Sequence, residues 1–293
     1  MKALRLILGG TAVSVALAAL ASCASFGASD ALSVLNIAAK TADVVAKSFE
    51  DITPEQEYYI GRAVGANILR QYSPYPEAKA NAYLNLLGQT LAMASERPET
   101  FGGYHFLILD SGEINAFAAP GGLVFVSRGL LACADSEDTV AAILAHEIGH
   151  VVKQHGLKAI KTSRFKDAGL AIGQAAVEEY GSAELVQVTG AFSGSIDDIT
   201  STLVNSGYSR QAEKEADLAA VEILKNTGYD PNALVRMLQR MKTRLKPGGP
   251  GFAKTHPDPE VRIAEIRKGL PVSPLPPAPP QRQARYQAAL GSL

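Results

Sequence analysis

The chain has 293 residues, a formal net charge of −1, 47% hydrophobic residues and 19% charged residues. That composition excludes a disordered or collagen-like chain, and the balanced charge offers no basic footprint for nucleic acid. Two cysteines cannot build a disulfide scaffold.

The first segment reads as an address label. Lys2 and Arg5 precede an uncharged apolar run from Leu6 to Leu20. At about 1.5 Å per residue the run is roughly 22 Å long, short of the ~30 Å hydrocarbon core. A secretory signal therefore fits better than a membrane span. The run ends Leu20-Ala21-Ser22-Cys23, which looks like a bacterial lipobox, with Cys23 lipidated as the first mature residue. The plainer alternative is an ordinary signal peptide with a chance cysteine. Ala24, rather than Asp, follows Cys23, and this resembles the pattern sent to the outer membrane of Gram-negative bacteria. The expected organisation is a signal peptide over 1–22, a tether with a modest helix over 23–52 and a folded domain over 53–270. A Pro-rich, flexible tail is expected over 271–293.

Within the domain, Thr53-Pro54 opens a helix carrying Ile60, Val64 and Ile68, and a second helix spans about Ala78–Ser95. The texture then turns β-rich at His105–Leu109, Ile114–Ala118 and Leu123–Val126, with Pro120-Gly121-Gly122 as a turn signal. A small antiparallel sheet or hairpin is the natural reading. Ser136, Glu137 and Asp138 then mark a helix start, the acids suiting the positive end of its dipole. That helix is apolar on most sides and runs to about His155, so it is expected to be buried. Further helices are predicted over about Ser209–Lys225, from Asp230-Pro231 to Arg244, and from His256-Pro257-Asp258-Pro259 to Lys268. The expected class is α+β, mainly α-helical, with the small sheet beside the apolar helix. Cys133, among Leu130, Leu131, Ala132 and Ala134, reads as a small buried apolar residue.

The apolar helix carries His146-Glu147-Ile148-Gly149-His150, an H-E-x-x-H pattern. Residues four apart on a helix share a face, so two imidazoles can meet one tetrahedral Zn²⁺ while Glu147 lies beside them as a proton acceptor. Unpaired, three polar side chains on a buried helix would each cost a few kcal/mol, and a metal ion with its water satisfies all three. An open zinc site needs a third protein ligand. His155 comes five residues after His150, at a different angle, and reads as a supporting or surface residue. The run Glu213-Lys214-Glu215-Ala216-Asp217 puts Glu213 and Asp217 on one helix face. Glu213 can complete a His₂Glu site and Asp217 can accept a free ring N–H. The alternative is an exposed acidic face, against which Leu218, Ala219 and Ala220 argue.

H-E-x-x-H followed by E-x-x-x-D resembles the gluzincin metallopeptidases of the HtpX and CaaX prenyl endopeptidase type, most closely the bacterial periplasmic, BepA-like branch. The resemblance covers roughly 54–268. It includes Asn115–Gly122, Ser127–Leu131, Ala145–Val151 with His155, Tyr208-Ser209-Arg210 leading into Glu213 and Asp217, and Thr255-His256-Pro257 with Arg262. It implies a gluzincin-type fold and one Zn²⁺ held by His146, His150 and Glu213, with Glu147 catalytic. Unlike HtpX and the prenyl endopeptidases, this chain is expected to be a soluble domain tethered by lipid.

The resemblance also places the His-Pro segment near the cleft. His256 and Arg262 then become candidates to stabilise the developing oxyanion. His256 can instead sit over the zinc and hold the enzyme off, or merely cap a helix. Asn115, Ala116, Phe117 and Ala118 are the candidate edge that pairs with substrate backbone. The expected function is a zinc endopeptidase acting on misfolded or stalled cell-envelope polypeptides, possessed of no nucleic-acid partner. It is expected to be lipid-anchored at the outer membrane, facing the periplasm. Competing readings are a chaperone of outer-membrane protein assembly with secondary or latent proteolysis, in contact with the assembly machinery, and a structural lipoprotein.

Overall fold

A helix buried on nearly every side organises the molecule. The computed structural model describes residues 52–159, 191–244, 256, 258–270 and 278–293. Cys23, the tether and the first half of the Pro-rich segment lie outside the described residues. In chain order the structure comprises α1 (Pro54–Leu69), α2 (Ala78–Met93), β1 (His105–Leu109), β2 (Ala116–Ala119) and β3 (Leu123–Ser127). There follow a short α3 (Arg128–Leu131), α4 (Glu137–Val152), α5 (Ala191–Ser201) and a π-helical turn (Thr202–Ser206). The last helices are α6 (Arg210–Asn226), α7 (Asn232–Arg244), α8 (Pro259–Gly269) and α9 (Pro280–Leu290). Among the described residues, no helix is long and apolar enough to cross a membrane.

Helix α4 starts where a capping box fixes it. The Ser136 hydroxyl accepts from the Thr139 amide, and the Thr139 hydroxyl accepts from the Ser136 amide at 3.1 Å. These bonds satisfy amides that a helix start leaves without partners. Residues Glu137 to Val151 are all buried. Their neighbours are α2, the sheet, α6, α7 and α9, and the apolar part forms one core with Leu84, Leu91, Val124, Val126, Leu224 and Leu238.

The three-stranded sheet has the order β1-β3-β2. The hairpin of β2 and β3 is antiparallel, with Phe117 opposite Phe125, but β1 runs parallel to β3, with His105 opposite Leu123. The sheet is therefore mixed, and the expectation of a purely antiparallel sheet is corrected. The reason lies in residues 110–115, which cross the C-terminal end of β3 so that β2 emerges on its far side. Ser127 holds that crossing, its hydroxyl donating to Glu113 O at 2.5 Å and accepting from Asn115 N at 3.0 Å. Strand periodicity shows that these runs are extended but carries no information on which neighbour each will choose. The outer edge of β1 is covered: Asn85 and Asn81 of α2 bond the backbone of Phe106 and Ile108. Among the described residues, no further strand pairs beyond β2.

The tail also departs from expectation. Its second half, expected to be loose, forms α9, which packs on α4 and α2 and buries Tyr286 and Leu290. Arg285 reaches Glu137 and Arg282 reaches Asp138, so two exposed-looking cations neutralise the buried first turn of α4. Cys133 is fully buried, as its apolar neighbours suggested.

Candidate metal centre

The position of the centre is set by how closely α6 crosses α4. A Cβ on Gly149 would lie 2.7 Å from Ala216 O and 3.0 Å from Ala216 Cα, so only glycine permits this approach. Glu213 and Asp217 flank Ala216 by three residues and one on α6, and both therefore reach the two histidines of α4. Ser209 caps α6 through the Ala212 amide, which starts the helix one turn before Glu213.

The histidines converge through their Nε2 atoms, 3.2 Å apart. Glu213 Oε1 lies 3.4 Å from His150 Nε2, and Oε2 lies 3.6 Å from His146 Nε2. His256 joins them, its Nε2 at 3.7 Å from Glu213 Oε1. One ligand atom from each of these four buried residues lies within 4.8 Å of the others.

This donor set fits a metal ion. Two ligands each about 2.0–2.1 Å from a tetrahedral ion lie roughly 3.3 Å apart, close to the separations seen here. The remote ring nitrogens are taken: His146 Nδ1 is 3.0 Å from Asp217 Oδ1, and His150 Nδ1 is 2.9 Å from His155 Nδ1. Donation at Nδ1 leaves both Nε2 lone pairs pointing at each other and at a carboxylate. Neither Glu213 oxygen accepts a hydrogen bond of good geometry among the described residues. Converging lone pairs in a buried site are stabilised by a cation and by little else. The structure brings His146, His150 and Glu213, singled out from the sequence, together with His256 in one buried cluster.

Burial lowers the His150 pKa to about 4 despite Glu213 and pushes His256 well below its usual value, both in the direction that favours a ring with a free lone pair. For Glu213, burial alone would raise the pKa, but His256, Arg262 and His150 outweigh it and hold the carboxyl well below the usual range. Asp217 is likewise pulled down to about 2, its burial outweighed by Arg262 and His146. Glu147 is buried, and that burial raises it to about 7, against the opposing charge of His146. A divalent cation beside it works in the lowering direction.

Arg262, expected as a stabiliser of developing charge, lies against the centre and is held by its acids, with one terminal nitrogen 3.2 Å from His146 Nδ1 and 3.4 Å from His146 Nε2. It bonds Asp217 through Nε at 2.9 Å and a terminal nitrogen at 2.6 Å, and its other terminal nitrogen lies 3.3 Å from Glu213 Oε2. It is buried behind the two acids and fixes their orientation. Asn115 and Ala116–Ala119 lie at the sheet edge, next to α4. Glu57 supports that edge from α1. Its carboxylate is buried, takes a two-pronged bond from Arg97 at 2.6 and 2.9 Å, and accepts the Gly121 amide at 3.0 Å. Gly121 needs its glycine, since its φ is +76°.

Of two further residues at the site, Tyr208 had no role assigned from sequence and His155 read as a supporting or surface residue. Tyr208 stacks on His150 with centroids 4.4 Å apart, and its hydroxyl lies 3.5 Å from Ala118 O. His155 is buried against His150 because α4 stops at Val152 and Gln154 takes a left-handed φ of 54°. On an unbroken helix it would sit roughly 140° round from His150. No periodicity signals such a break; the only local hint is Gly156 just beyond it.

The profile of peptidase family M48 matches residues 78–269, more than half of the chain. The chain belongs to peptidase family M48. The M48 match spans every residue of the cluster, from α4 through Arg262. Similar curated proteins include the beta-barrel assembly-enhancing protease of Escherichia coli K12, 31% identical over 192 residues, covering 63% of this chain and 38% of that protein. The mitochondrial metalloendopeptidase OMA1 of Schizosaccharomyces pombe is 32% identical over 163 residues, covering 54% of this chain and 44% of its own length. Its Saccharomyces cerevisiae counterpart is 29% identical over 169 residues. The chain thus spans less than half the length of these M48 relatives.

Proposed function

We propose that this chain is a zinc-dependent metalloendopeptidase, with Zn²⁺ held by His146, His150 and Glu213. The observation that carries the reading is the meeting of two Nε2 atoms and one carboxylate within 3.2–3.6 Å inside a buried site, with Glu147 on the same helix. A zinc ion bound there supplies a Lewis acid that polarises a peptide carbonyl and makes a water acidic near neutral pH.

The protein's own groups do the rest. Glu147 accepts the proton of the attacking water and delivers it to the leaving amine. Asp217 holds His146 in the tautomer that leaves Nε2 free, and Arg262 holds Asp217 and Glu213 in place. The backbone of Asn115–Ala118, on the β2 edge opposite the one that α2 bonds, is assigned to receive the substrate as an added strand, which requires the Tyr208 hydroxyl, 3.5 Å from Ala118 O, to move aside. His256 is placed within ligand range of the same centre, where it either donates to developing charge or occupies a coordination position.

The proposed substrate class rests on a motif near the N-terminus and on the printed name of one relative. The lipobox-like Leu20–Cys23 and the likeness to a protease whose name ties it to β-barrel assembly support polypeptides of the Gram-negative envelope as substrates, with the chain lipid-anchored through Cys23 at the outer membrane. The same name supports a second reading, an assembly factor whose proteolysis is secondary, in contact with outer-membrane assembly machinery. Casein cleavage by the purified chain and by Glu147→Gln separates them. A peptidase loses on the order of 10²–10⁴-fold in rate with that variant while keeping its zinc. Equal cleavage by both proteins would remove Glu147 from the reaction.

A further inference from the structure

The two metal-facing histidines are backed in different ways. His146 leans on a buried carboxylate, Asp217, directly. His150 leans on His155, and His155 Nε2 lies 3.2 Å from Glu215 Oε2. Glu215 is the middle acid of the 213–217 run, about one-third exposed, and the catalytic reading gives it no task.

We propose that His155 and Glu215 form a relay that positions the His150 imidazole for the metal, a role that rests on the zinc reading above. Proton order follows from the contacts. His150 binds through Nε2, so its Nδ1 carries the proton and donates to His155 Nδ1. That nitrogen is then an acceptor, so His155 carries its own proton on Nε2 and donates it to Glu215 Oε2. Each ring is thereby confined to one tautomer, and the negative charge of Glu215 is transmitted through His155 to make His150 a better donor.

Two further observations support the relay. His155 is 3% exposed, so its ring nitrogens are shielded from water and held by the partners named above. The left-handed φ of 54° at Gln154, which brings His155 under His150, is strained in a non-glycine residue, and such strain persists where surrounding contacts determine it.

The test is zinc affinity of the full chain, read by competition with a chromophoric chelator, beside the melting temperature of the metal-free protein. We expect His155→Leu and Glu215→Ala to weaken zinc binding about 10–100-fold. The metal-free melting temperature of Glu215→Ala should stay at the wild-type value, because its side chain is partly exposed. His155→Gln, whose amide both accepts and donates, should restore most of the affinity. The absorption bands of the Co²⁺-substituted protein should shift in Glu215→Ala, which a purely structural role would not cause. Wild-type affinity in Glu215→Ala would overturn the relay while leaving the zinc reading intact. A wild-type chain that binds no zinc would overturn both. If His155→Leu does not fold, Glu215→Ala decides alone.

Discussion

Helix α4 buries charged and polar groups at both of its ends, and the two ends solve the problem differently. At the N-terminal end Glu137 accepts Tyr229 Oη at 2.9 Å, Tyr83 Oη at 3.3 Å and Arg285 Nε at 3.0 Å, while Asp138 accepts the Asp230 amide and Arg282. Donors from three separate places, α2, the 229–230 turn and α9, meet those acids. At the C-terminal end the acceptors face one another: two Nε2 lone pairs, a third imidazole and a carboxylate. Burial alone therefore does not mark a functional site. A buried acid surrounded by protein donors is a fastening, whereas a set of acceptors aimed at a common point calls for a cation.

Substitutions at the two ends sharpen that contrast, and the largest effect is expected where the helices cross. Alanine at Gly149 would ordinarily favour a helix by about 1 kcal/mol. Here its Cβ would lie 2.7 Å from a backbone oxygen of α6, and overpacking of that kind costs typically ~1–3 kcal/mol. The clash wins, α6 moves outward and Glu213 leaves the histidines. We predict that Gly149→Ala loses zinc affinity on the order of tenfold or more in a chelator titration. Unchanged affinity would mean that the crossing does not set the ligand geometry.

At the other end, Arg285→Ala leaves Glu137 with its two tyrosine donors but no cation. About 1–2 kcal/mol of stability should be lost, seen as a lower urea midpoint, with zinc stoichiometry intact. Loss of zinc in this variant would erase the distinction between the two ends. Tyr83→Phe removes one hydroxyl from Glu137 and should cost about 0.5–1.5 kcal/mol by the same measurement, again with zinc retained.

The sequence revealed the centre better than its surroundings, for physical reasons. His146, Glu147 and His150 are four residues apart at most, so helix geometry alone brings them together. Glu213 and Asp217 share a face for the same reason, and small neighbours such as Ala216 and Ala220 pointed that face inward. His155 reaches His150 only through a backbone break that no pattern encodes. The parallel pairing of β1 depends on the crossing of residues 110–115, and α9 is held by a short face of Tyr286, Ala289 and Leu290 together with Arg282 and Arg285, a stripe that the Pro-rich run before it obscured. Arg262 shows the same limit: its charge was readable, but not that Asp217 and Glu213 would claim it.

Zinc content of the purified chain and of Glu213→Ala, measured by elemental analysis after dialysis against metal-free buffer, bears most directly on the convergence of α4 and α6. We predict one zinc per chain in the wild type and far less than one in the variant. Full occupancy in Glu213→Ala would show that the carboxylate of α6 does not hold the ion.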